Sequence, residues 1–469
     1  MPINITRRRF LAGTAGLTAS TALPPMAAAG ASLRLRAAPG KINIVGSDYP
    51  DTEVWSYGDV PGPEIRIKQG ERLKVDVANG LEQPTTVHWH GLRLANAMDG
   101  VPDVTQAPIA PGASFTYDFT PPDAGTFWYH PHVRSAEQIG RGLYGALIVE
   151  EREPPKVDRD LTWVMDDWRL TKQATIAEPF GHMHDLTHAG RMGNVPTLNG
   201  ALIETVTVRA GERLRLRLIN VANARIMALR FKGHAPTVVA LDGQPVEPFS
   251  PEDGRVLLGP GMRADLVVDM QGDPGSRHEV IDDAYARNAY RFVTLAYSDE
   301  APLRANPLDA PVVLPANPLP TPMADAERLE VVLAGGAMGG MREASFKGET
   351  VGIRELVRAG KAWAINGVVA HQTAMPPLFT LKRGRSYVLS VRNDSAWPHP
   401  MHLHGHAFRI IRRNGQPAER PHWADTMLLA PEETVEAELV ADNPGDWLFH
   451  CHVLEHHQAG MNSLVRVSP

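Results

Sequence analysis

One sequence unit occurs three times in this chain, and the repeat restricts the possible folds more than any other feature. The copies are EIRIKQGERLKVDVAN from Glu64, TVTVRAGERLRLRLIN from Thr205 and FTLKRGRSYVLSVRN from Phe379. Their central glycines are Gly70, Gly211 and Gly384. On both sides of the glycine, apolar and polar residues alternate with a period of two, which predicts half-buried β-strands joined by a turn. We therefore predict three related all-β domains, each with a β-hairpin at this unit.

Two proline-rich segments without strand alternation separate the copies. They are EEREPPKVD at residues 150–158 and DAPVVLPANPLPTPMAD at residues 309–325. We predict domains at residues 41–153, 156–310 and 324–469, with short helices at Gly352–Lys361 and after His452. The composition agrees, because 41 Gly, 40 Pro and 21% charged residues suit a turn-rich β protein. The formal charge of −6 gives no sign of a surface that binds nucleic acid.

The first thirty residues are typical of a twin-arginine signal peptide rather than of a folded domain. The run Thr6-Arg7-Arg8-Arg9-Phe10-Leu11 precedes an apolar stretch and then the small residues Ala27, Ala28 and Ala29. A basic amphipathic helix is the alternative interpretation. No later stretch is long and apolar enough to predict a membrane span. We expect the twin-arginine export machinery to deliver a periplasmic protein without stable membrane insertion.

Four His-x-His pairs predict metal binding. They are His88/His90, His130/His132, His402/His404 and His450/His452. Residues i and i+2 of a strand point to the same face, so each pair offers two imidazoles to one site. The pairs fall in the first and last copies of the repeat, whereas the middle copy has Arg230-Phe231-Lys232-Gly233 at the equivalent place. We therefore expect domains one and three to carry the chemistry and domain two to space them.

The residues around Cys451 decide between metals. Zinc competes with copper for imidazole ligands, but structural zinc prefers four strong donors. His399, Cys451, His456 and Met461 instead offer two imidazoles, one thiolate and one weak thioether. That set is typical of a blue-copper electron-transfer site.

The alternation of the strand also separates Cys451 from its two neighbours. In His450-Cys451-His452 the sulfur lies on one side of the strand and both imidazoles lie on the other. Two metal sites would then be joined through one backbone segment, so that electrons pass from one to the other without diffusion. Such a connection favours an oxidase over an electron carrier.

The segments HWHG, HPH, HPMHLHGH and HCHVLEHHQAGM, in this order, resemble the copper motifs of multicopper oxidases. The resemblance is closest to three-domain bacterial types, which are laccase-like, copper-resistance and manganese-oxidising enzymes. It implies three cupredoxin-like Greek-key β-barrel domains and four coppers per chain. A type 1 copper would be bound by His399, Cys451, His456 and Met461, and a type 2 copper by His88 and His402. The type 3 pair would be bound by His90, His130, His132, His404, His450 and His452.

The resemblance also implies an activity. Phenols, aromatic amines or low-valent metal ions would give up single electrons at the exposed edge of the type 1 site, and dioxygen would be reduced to water at the other coppers. The alternative is a non-catalytic periplasmic protein that binds or buffers copper. Asp99 matches the family's carboxylate beside the copper cluster, although an Asp-Gly turn outside the site is the other interpretation. Bacterial relatives often have a glutamate where this chain has His457, which leaves the proton route open.

One histidine-rich segment of domain two has no counterpart in these motifs. GHMHDLTHAGRMGN contains His182, Met183, His184, His188 and Met192. Imidazole and thioether together suit cuprous ion, so the segment either collects substrate copper or is a structural loop. Met338 and Met341 in GGAMGGM give a similar hint, whereas the long methionine-rich insertion of dedicated cuprous oxidases is absent.

Overall fold

A computed structural model of the chain describes residues 33–308 and 311–469. The predicted signal peptide at residues 1–30 lies outside the described residues. Within the described part, strands and turns dominate and the helices are short. The prediction of an all-β fold is confirmed.

The strands fall into three groups along the chain. The first group comprises β1 (Leu33–Ile42), β2 (Thr52–Ser56), β3 (Gly62–Lys68), β4 (Leu73–Asn79), β5 (His88–His90), β6 (Ser114–Phe119), β7 (Gly125–His130) and β8 (Gly145–Glu150). The second comprises β9 (Arg159–Trp168), β10 (Val195–Leu198), β11 (Thr205–Val208), β12 (Arg213–Asn220), β13 (Met227–Phe231), β14 (Thr237–Leu241), β15 (Gln244–Phe249), β16 (Arg255–Leu258), β17 (Arg263–Asp269), β18 (Arg277–Asp282) and β19 (Tyr290–Tyr297). The third comprises β20 (Glu327–Gly335), β21 (Glu343–Phe346), β22 (Glu349–Gly352), β23 (Trp363–Ile365), β24 (Pro377–Lys382), β25 (Ser386–Asn393), β26 (His399–Leu403), β27 (Phe408–Arg413), β28 (Gln416–Ala424), β29 (Thr426–Leu429), β30 (Thr434–Val440), β31 (Gly445–Cys451) and β32 (Asn462–Ser468).

The described helices are few and short. They are α1 (Ser135–Gly140), α2 (Met183–Thr187), α3 (Ile353–Arg358), α4 (Leu454–Gln458) and single 3-10 turns at 96–98, 252–254 and 286–288. Helices α3 and α4 lie where the sequence predicts them. None of the described helices has the length and apolar character needed to cross a bilayer.

Each group of strands forms two main sheets that enclose an apolar core. The orders are β2-β1-β4-β6 and β3-β8-β7-β5 in the first group, β10-β9-β12-β17-β14-β15 and β11-β19-β18-β13-β16 in the second, and β23-β20-β25-β30-β27-β28 and β24-β32-β31-β26-β29 in the third. The sheets span residues 33–150, 159–297 and 327–468. Strand β1 starts ahead of residue 41, the predicted start of domain one, and the predicted boundaries otherwise stay a prediction.

The prediction of a β-hairpin at each repeat is wrong. Strands β3 and β4 meet at Gly70 but belong to different sheets, because β3 pairs with β8 and β4 pairs with β1 and β6. The second and third copies behave in the same way. Each repeat therefore crosses from one sheet to the other and closes the barrel around its core.

The domains contact one another through a shared apolar cluster. Trp128 and Tyr144 come from the first domain, Trp168 from the second and Leu454 from helix α4 of the third, and all four side chains are buried together. Full burial of one such side chain contributes about 1.5–3 kcal/mol. This contact holds the first and third domains in the fixed relation that a site built from both requires.

Candidate metal centres

Three of the predicted ligands converge in domain three, and we call His399, Cys451 and His456 the cysteine cluster. They come from β26, the end of β31 and α4. The Cys451 Sγ atom lies 3.4 Å from His399 Nδ1 and 3.7 Å from His456 Nδ1, and these two nitrogens are 3.1 Å apart. Three donor atoms this close fit a single ion placed between them.

Met461 closes the loop that carries two members of this cluster. Its N–H donates to the carbonyl of His456 at 2.9 Å, and its carbonyl accepts from the N–H of Cys451 at 3.1 Å. The side chain is fully buried. The backbone of Met461 thus ties α4 to the end of β31.

Both imidazoles of the cysteine cluster are covered on their outer side. The Nε2 of His399 lies 2.8 Å from the hydroxyl of Ser395, and the Nε2–H of His456 donates to the carbonyl of His188 at 2.6 Å. His399 and His456 are both 0% exposed. The exposed edge expected from the family resemblance is absent from the described residues, because a segment of domain two lies over it.

Eight further histidines gather between domains one and three, and we call them the histidine cluster. Its members are His88, His90, His130, His132, His402, His404, His450 and His452. Donor atoms lie within 4.8 Å of one another in three triplets: His88, His90 and His402; His88, His132 and His404; His90, His130 and His452. The Nε2 atoms of His404 and His450 are 3.2 Å apart.

Strand register brings these histidines together. In domain one, His88 of β5 lies opposite His130 of β7. In domain three, His402 of β26 lies opposite His450 of β31. Because i and i+2 share a face, each pair of strands presents its His-x-His residues to the same space. The strand also separates Cys451 from His450 and His452, so that the sulfur faces one cluster and the imidazoles face the other.

The orientation of the rings fits metal ligation. The Nδ1–H groups of His88 and His402 donate to the carbonyls of Asp99 and Asp425 at 2.8 and 2.9 Å. No described residue hydrogen-bonds to the Nε2 atoms of these two rings, which are buried. The same holds for both ring nitrogens of His132 and His452. Buried ring nitrogens without a protein partner are costly, and a metal ion bound to the unprotonated nitrogen of each ring removes part of that cost.

Burial also keeps the donors in their metal-binding form. It lowers the pKa of His456 to about 3 and holds the pKa of His130, His132, His450 and His452 well below the ordinary value. Neutral imidazoles are the form that binds metals. Burial raises the pKa of the Cys451 thiol, so the thiolate forms together with metal binding.

Comparison with known proteins identifies the family. Three family models, each described as multicopper oxidase, match residues 40–154, 160–290 and 350–469. Multicopper oxidase MmcO of Mycobacterium tuberculosis is 31% identical over 96% of this chain and 89% of its own length. This chain belongs to the multicopper oxidase family. It is therefore a copper-binding oxidoreductase that uses oxygen.

Solved structures of multicopper oxidases share the fold of this one. The enzyme from Pseudomonas thermotolerans has 35% identity and a TM-score of 0.81, covering 93% of this chain and 99% of its own. The multicopper oxidase from Campylobacter jejuni, a metallo-oxidase, has 25% identity and a TM-score of 0.76, covering 93% of this chain and 91% of its own. Three cupredoxin-like domains are thus common to these proteins and this chain.

In this multicopper oxidase Asp99 lies beside the histidine cluster. Its Oδ2 accepts from the Nδ1–H of His404 at 2.9 Å, while its carbonyl orients His88. The side chain is 1% exposed. The interpretation of an Asp-Gly turn outside the site is therefore wrong. By fixing which nitrogen of His404 carries the proton, Asp99 leaves Nε2 for a metal.

Sequence reasoning missed an ion-paired group on the other side of the histidine cluster. Asp425 Oδ1 lies 3.1 Å from His90 Nε2, and both Asp425 oxygens accept from Arg263 at 2.8 and 2.5 Å. Asp242 accepts from the N–H groups of Arg263 and Thr426 at 2.9 and 3.1 Å. Burial and the charge of Asp425 raise the pKa of Asp242 to about 7. Burial opposes ionisation of Asp425 too, but Arg263 holds its pKa below the usual value.

Domain two does more than space the other two domains in this oxidase. It supplies Arg263 and Asp242 to the group just described, and its Gly261 lies against the histidine cluster. A Cβ atom at Gly261 would be 2.8 Å from His452 Cδ2, and the φ of +85° also favours glycine. The turn at Gly261 therefore packs so closely against the cluster that there is no room for a side chain at this position.

His457, the residue at which the sequence leaves the proton route open, lies beside the same cluster. Its ring centroid is 4.5 Å from that of His450 and 5.8 Å from that of His132. Burial lowers its pKa to about 4. His457 thus places an imidazole that is neutral at pH 7 beside the histidine cluster.

Proposed function

We propose that this oxidase takes single electrons from a reducing substrate and reduces dioxygen to two waters with four coppers. The type 1 copper would be bound by the cysteine cluster together with Met461. The type 2 copper would be bound by His88 and His402, and the type 3 pair by the other six members of the histidine cluster. The donor set supports copper, since two imidazoles, a thiolate and a thioether are typical of blue-copper sites.

The segment His450-Cys451-His452 carries this proposal. The Cys451 sulfur belongs to one cluster, whereas the neighbouring imidazoles belong to the other. The Nδ1–H of His450 also donates to the carbonyl of Cys451 at 2.9 Å. Electrons received at the cysteine cluster would therefore reach the histidine cluster through covalent and hydrogen bonds of one strand. A protein that only stores copper has no use for this connection.

The side chains around the histidine cluster orient its ligands and exclude solvent. Copper, when bound, supplies one-electron redox chemistry and the place where dioxygen accepts electrons. Asp99 and Asp425 fix the tautomers of His404 and His402 by accepting their Nδ1–H groups. Asp99 also matches the family's aspartate beside the copper cluster, and we propose that it takes part in proton delivery to the oxygen step from its position beside His404.

The proposal is tested with the copper-loaded protein and a Cys451→Ser variant. Wild type should bind about four coppers, show an intense visible thiolate band with a near-ultraviolet shoulder, and consume oxygen with a reductant. The variant should keep the copper of the histidine cluster but lose the visible band and most oxygen uptake. A colourless loaded wild type would instead support the non-catalytic copper-binding alternative.

The reducing substrate belongs to one of the classes that the sequence predicts, namely phenols, aromatic amines and low-valent metal ions. Similarity to a metallo-oxidase from Campylobacter jejuni supports a metal ion. The covered imidazoles of His399 and His456 support it further, because a bulky organic donor has no free imidazole edge to approach.

We also propose export to the periplasm by the twin-arginine pathway, on the evidence of residues 1–30. Replacing Arg7 and Arg8 together with lysine should keep the protein in the cytoplasm, as fractionation with an activity assay would show. Unchanged periplasmic activity of that variant would contradict this route.

If Met461 binds the type 1 copper, its replacement should change the midpoint potential of that site. Replacing Met461 with leucine should raise the midpoint potential of the type 1 site, because a thioether lowers it relative to a residue that does not coordinate. The change conserves volume, so the fold should lose less than about 1.5 kcal/mol. Redox titration of the visible band measures the potential. An unchanged or lower midpoint would show that Met461 does not bind the copper.

A further inference from the structure

Helix α4 connects the two metal clusters and lies where all three domains meet. It follows His452 of the histidine cluster and contains His456 of the cysteine cluster. Its first residue, Leu454, belongs to the apolar cluster that the domains share. A helix of five residues is too short to be stable by itself. The surroundings of α4 must therefore fix where His456 lies relative to Cys451.

Asn223, in the loop between β12 and β13, joins the three domains at this helix. Its Nδ2 group donates to the carbonyl of Ala136 in domain one at 2.8 Å and to Oε1 of Glu455 in domain three at 3.0 Å. Its own carbonyl accepts from the N–H of Leu454 at 3.0 Å. One residue of domain two thus forms hydrogen bonds with both other domains.

Glu455 is the acceptor at the centre of this contact. Its side chain is fully buried, and its second oxygen, Oε2, accepts from the backbone N–H of Arg191 at 2.9 Å. Glycines allow the chain to pack closely on two sides. A Cβ atom at Gly190 would lie 3.1 Å from Glu455 Oε2, and one at Gly140 would lie 3.3 Å from Asn223 Nδ2. The carboxylate is therefore held between two N–H donors in a tightly packed space.

Stability alone does not require these hydrogen bonds. Apolar packing already joins the domains at this point, through the cluster that includes Trp128 and Leu454. Apolar contacts are not directional, whereas a hydrogen bond holds its donor and acceptor at a defined distance and angle. A buried hydrogen-bonded network therefore specifies one arrangement of the elements that it joins. Because His456 directly follows Glu455 in α4, fixing Glu455 also fixes His456.

We propose that Asn223 and Glu455 form a positioning pair, through which domain two sets the place of His456 beside Cys451 and so the properties of the type 1 copper. Within the described residues, neither side chain hydrogen-bonds to a ligand of either cluster, so the pair acts through the helix. The properties of a blue-copper site depend on the geometry of its ligands. This inference deepens the oxidase function proposed above and rests on its assignment of the type 1 copper.

Two variants isolate the contact between positions 223 and 455. Asn223→Leu has a side chain of similar size but no donor for Ala136 or Glu455. The exchange variant, Asn223→Asp with Glu455→Gln, also lacks the donor for Ala136. Its glutamine amide can donate to the aspartate and still accept from Arg191, so the hydrogen bond between the two positions is kept with its direction reversed. The difference between the two variants therefore reports this one contact.

The copper-loaded full chain is examined by visible absorption, electron paramagnetic resonance and redox titration. In Asn223→Leu we expect the thiolate band, the copper hyperfine coupling and the midpoint potential to shift, and kcat for oxygen uptake with a phenol to fall about tenfold or more. The exchange variant should stay close to wild type in all four measurements. Asn199→Asp is the matched control, because it removes a donor to the carbonyl of Thr162 within domain two. It should equal wild type.

Two results would overturn the positioning pair. One is a leucine variant that is less stable in urea but has the band and the midpoint potential of wild type, since the pair would then only join the domains. The other is an exchange variant that is shifted as far as the leucine variant. If the leucine variant does not fold, Asn223→Ala replaces it, because it leaves the same acceptors without a donor. A wild type without the visible band would instead refute the type 1 copper itself, and this inference with it.

Discussion

Replacing Arg263 with methionine should lower the free energy of unfolding by about 3–5 kcal/mol, the usual effect of removing one partner from a buried ion pair. Arg263 is fully buried and binds both oxygens of Asp425, while its N–H donates to Asp242. Methionine fills a similar volume but leaves two buried carboxylates without a cation. Urea denaturation of the metal-free protein measures the loss.

The same variant should bind copper less well, because Asp425 orients ligands of the histidine cluster. Its oxygen and carbonyl contact His90 and His402 at 3.1 and 2.9 Å. Disturbing such a contact weakens metal binding by about 10–100-fold. Arg255→Met is the matched control, since Arg255 pairs with Asp283 in a partly exposed position of the same domain. It should change stability by less than about 1 kcal/mol. Equal losses in the two variants would show that the group around Arg263 has no special role.

The repeat unit predicted the strands and their turn but not their partners. In the first copy, the N–H of Glu71 donates to the carbonyl of Lys68, and Gly70 has a φ of +84° at the third position of that turn. A positive φ at this position suits a type II turn, which splays the two strands instead of pairing them as the turns of tight hairpins do. The true partner of β3 is β8, far along the chain, and local alternation holds no information about it.

The alternation of apolar and polar residues also gave a wrong prediction of exposure where the polar face of a strand packs on another domain. The pattern RLRLRLIN predicts that Arg215 and Arg217 face solvent, yet every residue of β12 is buried. Arg215 pairs with Glu151 and Asp265 at 2.7 and 2.6 Å, and Arg217 also reaches Asp265. The arginine face packs on domain one, and only the assembled chain shows that contact.

The candidate ligands were predictable because metal sites repeat a simple local rule. Residues two apart on a strand share a face, so each His-x-His pair marked one side of a site before any contact was known. Asp425 and the carbonyl of His188 follow no such rule. Each meets its histidine from another part of the chain, Asp425 at His90 and His188 at His456. A single charged residue or a main-chain carbonyl leaves no pattern in the sequence from which such a long-range contact could be predicted.

The metal-free protein should unfold in mild acid. The midpoint pH of its acid unfolding should be higher than that of the copper-loaded protein by about one pH unit or more. Burial lowers the pKa of His456 to about 3 and of His457 to about 4, and it lowers the pKa of His399 and His404 well below the ordinary value. In the unfolded chain a histidine titrates at about 6.5. Below that pH the histidines bind protons in the unfolded state but stay unprotonated in the folded state. The stability that these groups contribute is therefore complete above pH 6.5 and is lost as pH falls toward their folded values.

The size of this effect follows from linkage. Each such histidine lowers the free energy of unfolding by about 1.4 kcal/mol per pH unit below 6.5, and a native protein has only about 5–15 kcal/mol to lose. A few of the clustered imidazoles are enough to unfold the metal-free chain near pH 5. In the copper-loaded protein, copper is bound to the unprotonated nitrogens of these histidines. Protons must displace the copper before they can bind there, so unfolding requires a lower pH. Far-ultraviolet circular dichroism between pH 8 and pH 4 measures both transitions, and His132→Gln, which removes one buried imidazole, should move the metal-free transition to lower pH. If the two forms unfold at the same pH, the clustered histidines do not bind the copper.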